Sequence, residues 1–475
     1  MNDITAPPKS NPSIRALRQS LSRCGPGLLA LGAILVSLFI GLDSAHAGAD
    51  RGPKPADERV IVLVPGITGT ALRDRASGRT AWGDGPSLLR PRDSGHDLAL
   101  PVRPSHGPLR LEPFAIIERI RLGIVRMNIY RPIIRAFEKA GYRRGRLSRP
   151  AADQSFFTFA YDWRVGNSQA VRQLYDQLDA LRQLRGEERL PLALICQSNG
   201  AHICRYLAKF GKATLEQVEA GRSTPPDIFN IQNIVLIGTA NGGSVRVLSS
   251  IDRGRRYVPI VGRYMRPETL FTFPTLYQDL PAYRDDLFID ADGNSLDLDL
   301  YEPATWRDYN ISIFSPEAAR RLAKSPIGRD FGTEKERLEF LGRVLNDARR
   351  TQAVLQQDVE GFGDIRYDLI QNVDMPTPEK AVVVRKEGGE PRFRLLFTGD
   401  KEIDKNPKLA AIASSPGDGH ATVTSQNWLS PQEKASIPCE TFNVEGTHFG
   451  TVVNPRTIER LVELLTGENE NFGCG

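Results

Sequence analysis

A mostly parallel β-sheet covered by helices on both faces is the α/β fold that the sequence predicts, on three observations. Apolar runs the length of buried strands recur at residues 59–64, 156–161, 192–196 and 231–237. Amphipathic helical stretches at 128–140 and 168–184 separate them, and strands alternating with helices favour parallel pairing. The chain, 475 residues with 40% apolar and 25% charged side chains, is long enough for one such domain with a sizeable insertion, or for two domains.

In chain order, Arg15, Arg18 and Arg23 precede an apolar stretch at 28–42 that ends in Ala45-His46-Ala47. This order reads as a signal peptide over residues 1–47, cleaved before Gly48, which makes the mature protein secreted or periplasmic. The alternative is an uncleaved membrane anchor at 28–42. A linker spans 48–57, and the first part of the core spans 58–244. The strand at 59–64 runs into Pro65-Gly66-Ile67-Thr68-Gly69-Thr70, a tight glycine loop that matches neither G-x-G-x-x-G nor a Gly-Lys-Ser/Thr phosphate loop. In 128–140, Ile129, Ile133, Ile134 and Phe137 stand at helical spacing. The strand at 231–237 ends in Gly238-Thr239-Ala240-Asn241-Gly242-Gly243-Ser244.

The alternation then breaks. Residues 245–380, rich in Arg, Asp, Tyr and Pro with a long helix near 334–359, read as an inserted cap. Strands at 392–397 and 441–444 restore the sheet in a second core part, 381–467, closed by a helix at 455–465 and followed by a tail at 468–475. Asp290-Ala291-Asp292-Gly293-Asn294 invites a calcium reading, but Ser295 and Tyr301 stand where an EF-hand needs Gly and Glu, so a hairpin turn is expected there. No metal or cofactor motif is found. The net charge of +5 comes with scattered Arg, which excludes an obvious nucleic-acid partner. Cys439 and Cys474 flank the last strand and helix and are candidates for a disulfide, whereas Cys196 and Cys204 read as small buried thiols.

Chemistry concentrates at Leu194-Ile195-Cys196-Gln197-Ser198-Asn199-Gly200-Ala201, where an apolar run stops at a small turn and a helix over 203–210 follows. That is the pattern of a nucleophile elbow, which lifts a weakly nucleophilic hydroxyl towards a base and free backbone N–H groups. Cys196 replaces its first glycine. Among six histidines, elimination leaves His420 and His448, and His448 occupies the loop between last strand and last helix, where an α/β hydrolase places its base. Asp400 and Asp418 both lie between serine and histidine. Asp418 is preferred because glycines flank it and let the backbone present the carboxylate. Oxyanion donors are expected from the N–H groups of Ile67 and Asn199.

Together these residues resemble the lecithin:cholesterol acyltransferase family, over about residues 60–465. The likeness rests on Val64-Pro65-Gly66-Ile67-Thr68-Gly69-Thr70-Ala71-Leu72, on Tyr161-Asp162-Trp163-Arg164, on the elbow, on Gly417-Asp418-Gly419, on Gly446-Thr447-His448 and on Tyr301-Glu302-Pro303-Ala304-Thr305-Trp306. It implies an α/β-hydrolase fold with Ser198 as nucleophile, Asp418 as acid, His448 as base and the same oxyanion donors. It also implies that Tyr161 to Arg164 shape the wall of the active site, a purely structural cluster being the alternative. The chain departs from the family at Cys196, at Ala240-Asn241, and at His420-Ala421, which look inserted before Thr422-Val423.

The expected activity is cleavage or transfer of an acyl group on a lipid-like ester, with no cofactor. A non-catalytic lipid-binding or envelope protein, or a small-ester hydrolase, are the rivals. Within the cap, Phe271 and Phe273 belong to its most apolar stretch, 270–277, which reads either as a substrate-binding flap that contacts a lipid surface or as the cap's own core. Nothing in the sequence sets the oligomeric state.

Overall fold

Five consecutive apolar residues with no polar face can rest only between two helical layers, and in the computed structural model Val60–Val64 (β1) is completely buried. The structure describes residues 59–89, 95–103, 107–122, 125–256, 263–324, 326–386, 392–438 and 441–466, all in the unit Pro53–Gly475. The signal peptide, the linker, the tail, Cys439 and Cys474 lie outside them. Six further strands join β1: Arg144–Arg146 (β2), Phe156–Thr158 (β3), Leu190–Gln197 (β4), Phe229–Ile237 (β5), Arg366–Gln371 (β6) and Phe442–Asn443 (β7). They form one seven-stranded sheet in the order β2-β3-β1-β4-β5-β6-β7, with every pairing parallel.

The winding direction reverses between β1 and β4. Connections from β1 run to the β3 side, and those from β4 to the β5 side, so the loops leaving their carboxyl ends diverge and open a crevice. The loop after β1 is the glycine loop, and the loop after β4 carries Ser198.

Helices Arg131–Lys139 (α1), Asn167–Arg185 (α2), Gly200–Phe210 (α3), Val245–Arg253 (α4), Glu334–Leu355 (α5) and Pro455–Thr466 (α6) supply the layers. In α3 all eleven residues are buried. Its two cations are neutralised internally. Arg205 makes a two-pronged pair with Glu433 at 2.8 and 2.7 Å, and Lys209 donates to the carbonyls of Leu355 and Gln357 and to Ser430 Oγ. Burial pushes the Lys209 amine down to about 8.

Two expectations about the second half change. The range 245–380 includes β6, a strand of the main sheet paired with β5 and β7. Its Asp368 interrupts the apolar run, yet is buried because Arg366 pairs with it at 2.8 Å. Conversely, Arg392–Leu396 joins Phe288–Ile289 and Ala381–Lys386 in a separate three-stranded sheet, because Leu396, Val382 and Ile289 close over their own small core with Ile403 and Leu409. At 290–294 the chain turns tightly. Asp290 accepts from the N–H groups of Asp292 and Asn294, and Gly293 takes φ +91°.

Candidate active site

Ser198 follows β4 directly with φ +53°, a left-handed backbone that costs a non-glycine residue free energy and persists only when its surroundings impose it. The constraint comes from both sides. Ser198 N–H donates to Ile237 O at the end of β5, and Gly200 brings α3 so close to β1 that a Cβ there would lie 2.6 Å from Val64 O. A further tie was not expected from the sequence: Cys196 and Cys204 form a disulfide that joins β4 to α3 across the turn. The position where the motif usually has glycine therefore holds half a cross-link rather than a free thiol.

His448 Nε2 lies 3.0 Å from Ser198 Oγ, and its Nδ1 lies 2.6 Å from Asp418 Oδ2. Asp418 stands at the end of a strand, Ser414–Gly417, paired antiparallel with Met375–Pro378 beyond β6. Gly419 turns at φ +82°, so that the N–H groups of His420 and Ala421 both reach Asp418 Oδ1, at 2.8 and 2.7 Å, and His448 N–H donates to Asp418 O. Burial alone would raise the Asp418 carboxyl, but the His448 ring and those two N–H groups outweigh it and hold the group below its ordinary value. Asp400 is elsewhere: it caps a short helix and pairs with Arg253 at 2.7 Å. His202, on α3, is buried with Nδ1 3.1 Å from Asp279 Oδ1, a contact that is off hydrogen-bond alignment. A hydroxyl, an imidazole and a carboxylate in this line can pass a proton from the hydroxyl to the imidazole while the carboxylate balances the charge.

The glycine loop is braced against the elbow. Gly66 N–H donates to Gln197 Oε1 at 2.9 Å, Tyr130 OH donates to the same oxygen at 2.7 Å, and a Cβ on Gly66 would stand 2.8 Å from Ser198 Cβ. Trp82 Nε1 donates to Thr68 O, Trp163 Nε1 to Thr70 O and Tyr161 OH to Pro65 O. Thr68 takes φ +67° within this brace. Among the described residues, neither Ile67 N–H nor Asn199 N–H donates to another protein group; Asn199 follows the serine in sequence and Ile67 shares a cavity lining with it.

A cavity of about 230 Å³ opens over Ser198. That is below the roughly 300 Å³ of a site enclosing a drug-sized ligand. Trp82, Leu88, Ile117, Ile120, Met127 and Ile129 make its apolar side, while Gln197, Arg255, Asp279, His420 and His448 make its polar side. Tyr161 and Trp163 do not line it. They act one layer behind, as props for the loop that does. Phe271 and Phe273 are also absent from the lining and are fully buried: Phe271 packs against Tyr277, Phe314 and Phe340, and Phe273 against Trp163. Each of these four rings packs against another ring inside the protein.

Gln197 and Tyr130, which sequence reasoning passed over, carry the brace. Gln197 was signalled only by its place beside Ser198. Among the described residues there is no group of His, Cys, Asp and Glu suited to a metal and no helix long and apolar enough to cross a membrane.

No protein-family model and no curated protein matches the chain. Solved structures do. A chain of the Tle4–Tli4 complex resembles this one with a TM-score of 0.52 at 12% identity, over 84% of this chain and 96% of that one. At that identity the likeness extends to the fold alone.

Proposed function

We propose that the protein is a serine acyl hydrolase or O-acyltransferase of the α/β-hydrolase fold, akin to the lecithin:cholesterol acyltransferase family, acting on lipid-like esters. The observation that carries the reading is the unbroken line from Ser198 Oγ through His448 to Asp418, on a left-handed turn at the crevice between β1 and β4.

In this reading His448 Nε2 takes the Ser198 proton as Oγ attacks the ester carbonyl, and the N–H groups of Ile67 and Asn199 hold the oxyanion. Collapse breaks the bond to the leaving alcohol, which receives the proton from His448. Water or an alcohol then gives its proton to His448 and attacks the acyl-Ser198 carbonyl; collapse breaks the acyl–Oγ bond, Ser198 Oγ takes the proton back from His448, and the acid or a new ester leaves. Asp418 stays ionised throughout and keeps Nδ1–H directed at itself. The apolar side of the cavity suits an acyl chain, with the rest of the molecule outside.

The reading includes export, with the mature chain beginning at Gly48, the alternative being a membrane anchor at 28–42. The test is labelling by a fluorophosphonate together with hydrolysis of a dispersed long-chain ester. Both are expected in the native protein and neither in Ser198→Ala. A folded native protein that fails to label would make it a binding protein on this scaffold. Product analysis with a labelled ester, with and without an added alcohol, decides between water and alcohol as acceptor.

A further inference from the structure

His420 follows Asp418 by two residues, in the segment where the chain departs from the family it resembles. It is 9% exposed and lies face to face with His448, ring centroids 4.4 Å apart and planes inclined by 29°. Its own position is set by the site. Its N–H donates to Asp418 Oδ1, and its carbonyl accepts from Ser244 Oγ. Among the described residues its Nδ1 is buried without a hydrogen-bond partner, and an unmet buried nitrogen costs stability. The charged and titratable groups around it are His448 on its face, Asp418 through the backbone, and two cations, Arg246 on α4 and Arg255 just after it. Burial first, and then His448 and the two arginines, disfavour a charge on His420 and hold its value well below that of a free imidazole.

We propose that His420 is a positioning residue for the reaction: a ring that covers one face of His448 and holds its plane in line between Asp418 and Ser198. The inference rests on the reading of His448 as base to Ser198. Two bonds on one imidazole, at 3.0 and 2.6 Å, are lost together if the ring turns about its Cβ–Cγ bond, and a stacked partner opposes that rotation. The same ring keeps water off one face of His448. Once His448 takes the serine proton, the cation meets the π face of His420 rather than a second charge.

The test is the rate of fluorophosphonate labelling in the full chain, which needs no knowledge of the natural ester. Relative to the native protein, His420→Ala is expected to label roughly threefold to tenfold more slowly at its optimum, the worth of one aromatic contact. His420→Phe, which restores the ring face, is expected to recover the rate. Thermal melting confirms that each variant is folded. A His420→Ala protein with the native rate overturns the inference alone, as does a folded His420→Phe protein no better than His420→Ala. Labelling that survives Ser198→Ala overturns the parent reading, and this inference with it.

Discussion

Each residue of the site has a distinct physical duty, and substitutions separate them. Asp418 and Asp400 look alike in the sequence, but only Asp418 touches His448; Asp400 is held by Arg253 and by Phe397 N–H. Asp418→Asn is expected to lower kcat by about 10⁴, as the loss of a triad acid does. Asp400→Asn is expected to leave kcat unchanged and to cost about 1 kcal/mol or less in urea unfolding, its ion pair being partly exposed. Gly66 has a different role, because a methyl there would press on Gln197 Oε1 and Ser198 Cβ at 2.5 and 2.8 Å. Gly66→Ala is therefore expected to reduce kcat/KM by on the order of 10² through displacement of the Ile67 N–H, while the circular dichroism spectrum stays native.

At the scale of elements, α3 positions the serine, and its buried charges and disulfide hold α3. Glu433→Gln leaves Arg205 and Lys209 as inadequately paired buried cations and is expected to destabilise the fold by about 3–5 kcal/mol in denaturant titration. Lys209 also ties stability to pH. Its folded value of about 8 lies below the 10.5 of the free side chain, so between those values the unfolded chain binds more protons. Its contribution to stability therefore rises with pH through that window, and Lys209→Met is expected to remove that component of the slope. The Cys196–Cys204 link closes a short loop across the elbow. Replacing both cysteines by alanine is expected to cost about 2–3 kcal/mol, and a non-reduced digest of the native protein is expected to contain the linked peptides.

For the molecule as a whole, Phe271 and Phe273 sit inside an aromatic cluster. Polar replacement of either is expected to lower stability by roughly 3–5 kcal/mol. Its folded fraction should keep the native ratio of activity on aggregated and dispersed esters, whereas a loss of that ratio alone would return them to a flap. Export, if it occurs as proposed, leaves an intact mass that begins at Gly48. Much of this architecture was legible beforehand. The strands at 59–64, 192–196 and 231–237 announce themselves because each is buried on both faces and needs no partner to explain its composition. The elbow, the glycine loop and the Asp418 and His448 loops were readable because small residues are required wherever backbone must bend sharply or approach closely. What the sequence could not determine was settled by distance in space. Asp368 hid β6 because its neutralising partner Arg366 is visible only once the strand is formed. The 392–396 strand was drawn into another sheet by a core of its own. Cys196 bonds Cys204 because the elbow folds α3 back onto β4, and the Tyr161, Trp163 and Phe273 rings turn inward because the interior supplies their partners. Local chemistry is written in order along the chain, but which side chain meets which depends on contacts between residues far apart in sequence, and these exist only in the folded protein.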